Sequence, residues 1–197
     1  EGNRVLGLIR GGNLRERVEI ACKGDHARMK DAINGVHGWL TDLVAYVTKV
    51  ANGDMTATMA KASDADQIHE WLMLMKTNIN ALVTDATLLA KAAVDGRLAT
   101  RADAAKHQGD FRKIVEGVNA TLDSVIGPLN VAAEYVDRIS KGDIPPRITD
   151  KYQGDFNEIK NNLNTAIDAV TALVADAGVL VKAAVEGKLA TRADAAK

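Results

Sequence analysis

One 26-residue stretch occurs twice in this chain. ALVTDATLLAKAAVDGRLATRADAAK occupies residues 81–106 and ALVADAGVLVKAAVEGKLATRADAAK occupies residues 172–197, identical at 20 of 26 positions and offset by 91 residues. A chain that copies itself at a fixed spacing is assembled from units that stack on their neighbours, rather than from one core with one centre. A shorter period lies inside the long one. A glycine, any residue and then an apolar residue recur at Gly12-Asn13-Leu14, Gly53-Asp54-Met55, Gly96-Arg97-Leu98, Gly142-Asp143-Ile144 and Gly187-Lys188-Leu189, at intervals of 41, 43, 46 and 45 residues. Four residues past each apolar position stands a second anchor: Val18, Met59, Ala102, Ile148 and Ala193. One such triplet carries no information, but five in register define a unit.

A further landmark follows 12 or 13 residues after the glycine in three units, as Gly24-Asp25-His26, Gly109-Asp110-Phe111 and Gly154-Asp155-Phe156. In the second unit the corresponding point is Glu70-Trp71-Leu72, after a longer segment. An Asn then stands eight residues on, at Asn34, Asn80, Asn119 and Asn164. Each unit therefore reads as helix, glycine-initiated connector, helix.

Between connectors the apolar residues step by three and four, the period of a coiled-coil seam. One seam includes Met29, Ile33, Val36, Val47 and Val50, the next Leu72, Met75, Ile79 and Leu82. A third includes Ile114, Val118, Val125, Leu129 and Val136, and a fourth Ile159, Leu163, Leu173 and Leu180. Helices of about 27–33 residues are predicted, each closing one unit and opening the next. The composition agrees: 32 Ala, 7 aromatic residues and 3 Pro in 197 residues favour helical bundles over a large mixed core. Glycine at 12, 53, 96, 142 and 187 suits a helix stop, where a left-handed backbone costs little. Gly127-Pro128 predicts a kink or a restart within the third long helix.

The connectors decide the topology. Twelve extended residues reach about 40 Å, whereas half of such a helix is about 22 Å long. The chain can thus run back along the helix and begin the next one in the same direction, with the two anchors pinning the connector. Two parallel helices cannot enclose a core by themselves, so the seams call for a second copy and a parallel four-helix bundle.

This pattern resembles the HAMP domain, the signal-relay module of bacterial chemoreceptors and sensor kinases. The resemblance is fullest where Pro128-Leu129 opens a helix, Gly142-Asp143-Ile144 closes it, Ile148 follows as second anchor and Asp155-Phe-Asn-Glu158-Ile159 opens the next helix. The resemblance implies five tandem units: 1–37 with a truncated first helix, 38–81, 82–125, 126–170, and a partial unit 171–197. It implies an all-α fold of stacked parallel four-helix coiled coils in a homodimeric, elongated rod. The wording of the units is similar to arrays in methyl-accepting chemotaxis proteins more than in hybrid kinases. In the family the acidic residue corresponding to Glu158 stabilises one packing by touching the first helix; Arg28, Leu74 and Lys113 stand there in the other units. Ala102 and Ala193 are small for second anchors, which predicts looser connectors.

Other chemistries have little to stand on. The net charge of −1 excludes a strongly basic nucleic-acid binder. Cys22 is the only cysteine, so an intrachain disulfide and a cysteine zinc cluster are excluded, and a reducing, cytoplasmic setting is expected. His26, His37, His69 and His107 lack metal spacing, and the glycines form no phosphate-binding motif. The apolar run Val179–Val185 is short and broken by Lys182, so no membrane insertion is expected of this segment. The recurrent Asn reads either as a register-setting polar residue beside the seam or as a surface residue. Together with the absence of such motifs, the resemblance implies a relay without catalytic, cofactor or metal residues, acting between an upstream sensor and a downstream output of the same parent chain. The rival readings are a passive dimerisation stalk and a helical ligand sensor.

Overall fold

The computed structural model describes residues 1–193. It is all-α: α1 (Gly2–Arg10), α2 (Asp25–Ala51), α3 (Gln67–Val94), α4 (Gly109–Ser140) and α5 (Gly154–Val185), with a short 3-10 turn at Ala104–Lys106 and no strand among the described residues. The four long helices have 27, 28, 32 and 32 residues, as the seam lengths predict. The end of the fifth sequence repeat, residues 194–197, lies outside the described residues.

Each long helix stops where the seam runs into glycine. At Gly142 the backbone is left-handed, with φ of 80°. The Gly142 N–H donates to the Ile139 carbonyl at 3.0 Å and the Asp143 N–H to the Arg138 carbonyl at 3.0 Å. This crossed pair satisfies carbonyls the helix end would otherwise leave open. The same pair forms at Gly12, Gly53 and Gly187. The residue after the glycine then steers the exit. Asn13 and Asp54 accept the N–H two residues on, from Arg15 at 3.1 Å and Thr56 at 2.9 Å. Asp143 cannot do so, because Pro145 carries no N–H. It accepts the Arg138 guanidinium at 2.6 Å instead.

Of the kink or restart expected at Gly127-Pro128, the restart does not occur: α4 runs unbroken with Pro128 inside it. The ring removes one backbone bond, a cost of about 3 kcal/mol in a helix interior. Pro128 lines a small cavity together with Ile148, Tyr152 and Phe156. The apolar seam on both sides of Pro128 carries the helix through.

The chain divides into two compact units. The first is Glu1–Asp95 with Ala102–Val115. Its core has two parts: Val5, Val18 and Ile33 with Ile9 beside them, and Tyr46, Val50 and Ala57 ringed by Met55, Met59, Leu72, Met73 and Ile79. The second is Gly96–Arg101 with Glu116–Lys197, and it buries Ile126, Ile148, Ile167 and Ala183. Both cores are thin. Many seam residues stay exposed, among them Met29, Val36 and Val47 in the first unit and Val118, Val125, Leu129, Val136 and Leu173 in the second.

Candidate functional site

The connectors are where the sequence motifs converge, and side chains of the following helix hold them by their backbones. The first connector shows the arrangement in full. Lys30 donates through Nζ to the carbonyls of Glu19 and Ile20 at 3.1 and 3.0 Å. The Asn34 carboxamide accepts the Val18 N–H and donates to the Val18 carbonyl, both at 2.9 Å. His37 Nε2 lies 3.0 Å from the Leu14 carbonyl. A carbonyl only accepts, so this nitrogen carries the proton. Residues 30, 34 and 37 form one stripe on α2, while their partners count down from 20 to 14. The connector therefore runs antiparallel to α2, and α1, from whose end it turns back, points the same way as α2.

The connector from α4 to α5 repeats the central rung. Asn164 accepts the Ile148 N–H at 2.7 Å and donates to the Ile148 carbonyl at 3.0 Å. Asn164 is buried, so its carboxamide completes a backbone segment that has no sheet to pair with. In both connectors the Asn and its partner are 16 residues apart. One turn above Asn164, Asp168 accepts Arg147 at 3.0 Å. Arg101 and Asp123 form the matching pair in the connector from α3 to α4, at 2.7 and 2.9 Å, and Arg101 also donates to the carbonyls of Leu98 and Thr100.

The connector from α2 to α3 is built otherwise. Lys76 donates to the Ala57 carbonyl at 2.6 Å and His69 Nε2 lies 3.2 Å from the Met59 carbonyl. Asp66 caps α3, accepting the N–H groups of His69 and Ala62 at 2.9 Å each. These bonds, that from His69 first, hold its carboxyl below the usual carboxylate range. The Asn80 side chain makes no such rung. On α2, the Trp39 Nε1 and Tyr46 hydroxyl are buried without a partner among the described residues, and burial pushes the Tyr46 hydroxyl pKa up.

The sequence-selected residues fall into groups. Val18, Ala102 and Ile148 are buried; Leu14, Met55, Met59 and Ile144 are half-buried. The small Ala102 is thus as enclosed as its larger counterparts. In the α2–α3 connector Ala57, not Met59, is the fully buried residue, because the longer segment shifts the register by two. Leu98 is 43% exposed and Leu189 78%, while Ala193 is exposed too. Gly12, Gly53, Gly96, Gly142 and Gly187 all have positive φ. Glu158 is exposed. Its side chain is on α5, one turn from the helix start, open to solvent.

Sequence reasoning missed two features. The Asn clamp was readable only as a residue near the seam, since its partner lies on a connector whose path the period does not specify. The Arg–Asp pairs had a faint signal: Arg stands just before the second anchor at 17, 101, 147 and 192, and Asp four residues past the Asn at 123 and 168. Among the described residues no three His, Cys, Asp or Glu side chains gather as metal ligands, and no helix is long and apolar enough to cross a membrane.

No curated protein and no solved structure matches the chain. The family model of the HAMP domain matches residues 106–172, a segment that contains α4, the connector held by Asn164, and the first half of α5. Residues 106–172 are thus similar to the HAMP domain, a family whose members generally relay signals between sensor and output domains.

Proposed function

We propose that the whole chain is a tandem array of such units, a non-catalytic relay that works as a homodimer in the cytoplasm. The exposed seam carries this reading. Ile114, Val118, Val125, Leu129 and Val136 recur along α4 at coiled-coil spacing, and each is more than 40% exposed in the single chain. Apolar stripes of that kind on soluble helices call for a partner of the same period. A second copy in parallel offers it and turns each pair of parallel helices into a four-helix bundle. The connectors then tie each helix to the one before it. An upstream sensor would bias a two-state packing, and helices shared between neighbouring units would pass the bias on to a chemotaxis or kinase-controlling output. Small side chains along the seams, such as Ala86, Ala93 and Ala177, allow two packings to differ by a few kcal/mol.

Light scattering on a sizing column across a dilution series tests the assembly. A mass of twice 21.0 kDa is expected, and a monomer at every concentration would sink the reading. A cysteine scan along the α4 seam tests the relay. Cross-linking patterns that differ between the two signalling conditions of the parent receptor are expected. One fixed pattern under both would leave a passive stalk.

A further inference from the structure

The connector from α3 to α4 ends on a polar contact unlike the others. His107 Nε2 lies 2.6 Å from Asp85 Oδ2, and the two side chains are 2% and 15% exposed. The Arg147–Asp168 pair, by contrast, leaves its partners 63% and 51% exposed. Asp85 sits in the middle of α3. His107 closes the 3-10 turn Ala104–Lys106, its N–H donating to the Ala104 carbonyl at 3.2 Å, two residues before α4 begins at Gly109. The turn itself is fixed by Asp103, which accepts the Ala105 N–H at 3.0 Å. The imidazole thus ties the end of the connector, and the first turn of α4 behind it, to the preceding helix.

Cys22 and Tyr152 occupy the position two residues before Gly24 and Gly154. Tyr152 borders the small space beside Pro128 and Phe156. An apolar contact of that kind tolerates sliding, because dispersion is non-directional and spread over many atoms. A hydrogen bond does not, since it weakens steeply as its angle opens. Once turned out of line, a buried carboxylate and imidazole lose their compensation for leaving water. Rotation or axial shift of α3 against the connector therefore strains this contact more than its apolar counterpart.

We propose that Asp85 and His107 are a positioning pair that holds the α3–connector register in one of the two packings of the relay, so that this unit switches only when their bond breaks. The proposal rests on the relay reading and deepens it by naming the residues that bias one unit.

The test uses the 197-residue chain in a Cys22→Ser background with single cysteines at Ile114 or Val118, comparing disulfide formation between copies at the two sites. In Asp85→Ala and His107→Phe, which remove the acceptor and the donor, the ratio of the two rates is expected to change about fivefold or more, the low end of allosteric coupling. His107→Gln, whose amide can still donate to Asp85, is expected to keep the parent ratio. Should Asp85→Ala fail to fold, the double change Asp85→Leu with His107→Leu, which leaves no charge unpaired, is expected to shift the ratio in its place. Variants that lower the melting temperature but leave the ratio unchanged overturn the proposal and leave the relay standing. Absence of cross-links in the parent chain itself overturns the relay reading and the proposal with it.

Discussion

The connector into α5 and the connector into α3 do the same mechanical work with different chemistry. In the first, one buried carboxamide takes both the N–H and the carbonyl of Ile148. In the second, three side chains act together. His69 and Lys76 each reach one carbonyl, and Asp66 caps the helix. Two polar atoms, on Trp39 and Tyr46, are left buried without partners nearby. Buried, two-sided pairing with one residue fixes a register. Single bonds from separate, partly buried side chains such as His69 and Lys76 hold a backbone with more play, and a long side chain like Lys76 must give up rotamer freedom to do so. A relay built from both types would have stiff and compliant joints along one chain.

The sharpest break of this contrast is at the Asn positions. Asn164→Ala leaves the Ile148 N–H and carbonyl buried and unpaired, which is expected to cost about 2 kcal/mol or more. Asn80→Ala removes no rung and is expected to stay within about 0.5 kcal/mol, like other substitutions that break no interaction. Urea unfolding of both variants measures the difference. Equal losses would erase the distinction between the two joints. Amide exchange at Ile148, faster in Asn164→Ala while Val18 keeps its protection through Asn34, would place the loss in that one connector.

Much of this architecture was legible because helices write their period into the sequence. The helix lengths, the glycine stops and the run-back of the connectors follow from seam spacing and chain reach. The clamp was not legible, because carboxamide-to-backbone pairing joins points 16 residues apart through a segment with no period of its own. The unbroken course of α4 was not legible either. A local rule about proline predicts a kink or a restart, whereas the apolar seam continues on both sides of Pro128 and α4 continues with it. The shift from Met59 to Ala57 as buried anchor has the same origin, since a longer loop carries its own register.

The compliant joint should improve when its unpaired groups are removed. The Tyr46 hydroxyl is desolvated without a partner, so Tyr46→Phe is expected to be neutral or stabilising by up to about 1 kcal/mol. Thermal unfolding measures it. A loss of stability would mean that the hydroxyl is satisfied in solution, and the contrast between joints would narrow.

Acid should separate the joints as well. The Asp66 carboxyl is held below its ordinary value in the folded chain by the His69 and Ala62 N–H groups. Its stabilising effect is therefore complete above the unfolded carboxylate pKa of about 4, and is lost as pH falls through the depressed folded value. The His69 and Ala62 amide resonances should follow that titration. The Asn164 clamp, which has no titrating partner, should keep its amide protected to lower pH. In Asp66→Asn the acid transition at His69 should vanish. Its persistence would assign it to another carboxylate.

The smallest effect is expected at the outer rung of the stiff joint. Arg147 and Asp168 meet at 3.0 Å with more than half of each side chain in solvent. Such pairs gain little, because water screens the charges and two long side chains must be held still. Arg147→Ala is therefore expected to cost no more than about 0.5 kcal/mol, and less at high salt. Asn164→Ala and the double variant with Arg147→Ala then decide how the two rungs combine. If the rung only decorates the clamp, the losses add, as independent sites do. If Asp168 instead orients the connector so that Asn164 can reach Ile148, the double variant loses less than the sum, and the stiffness of this joint belongs to the pair of rungs rather than to the buried carboxamide alone.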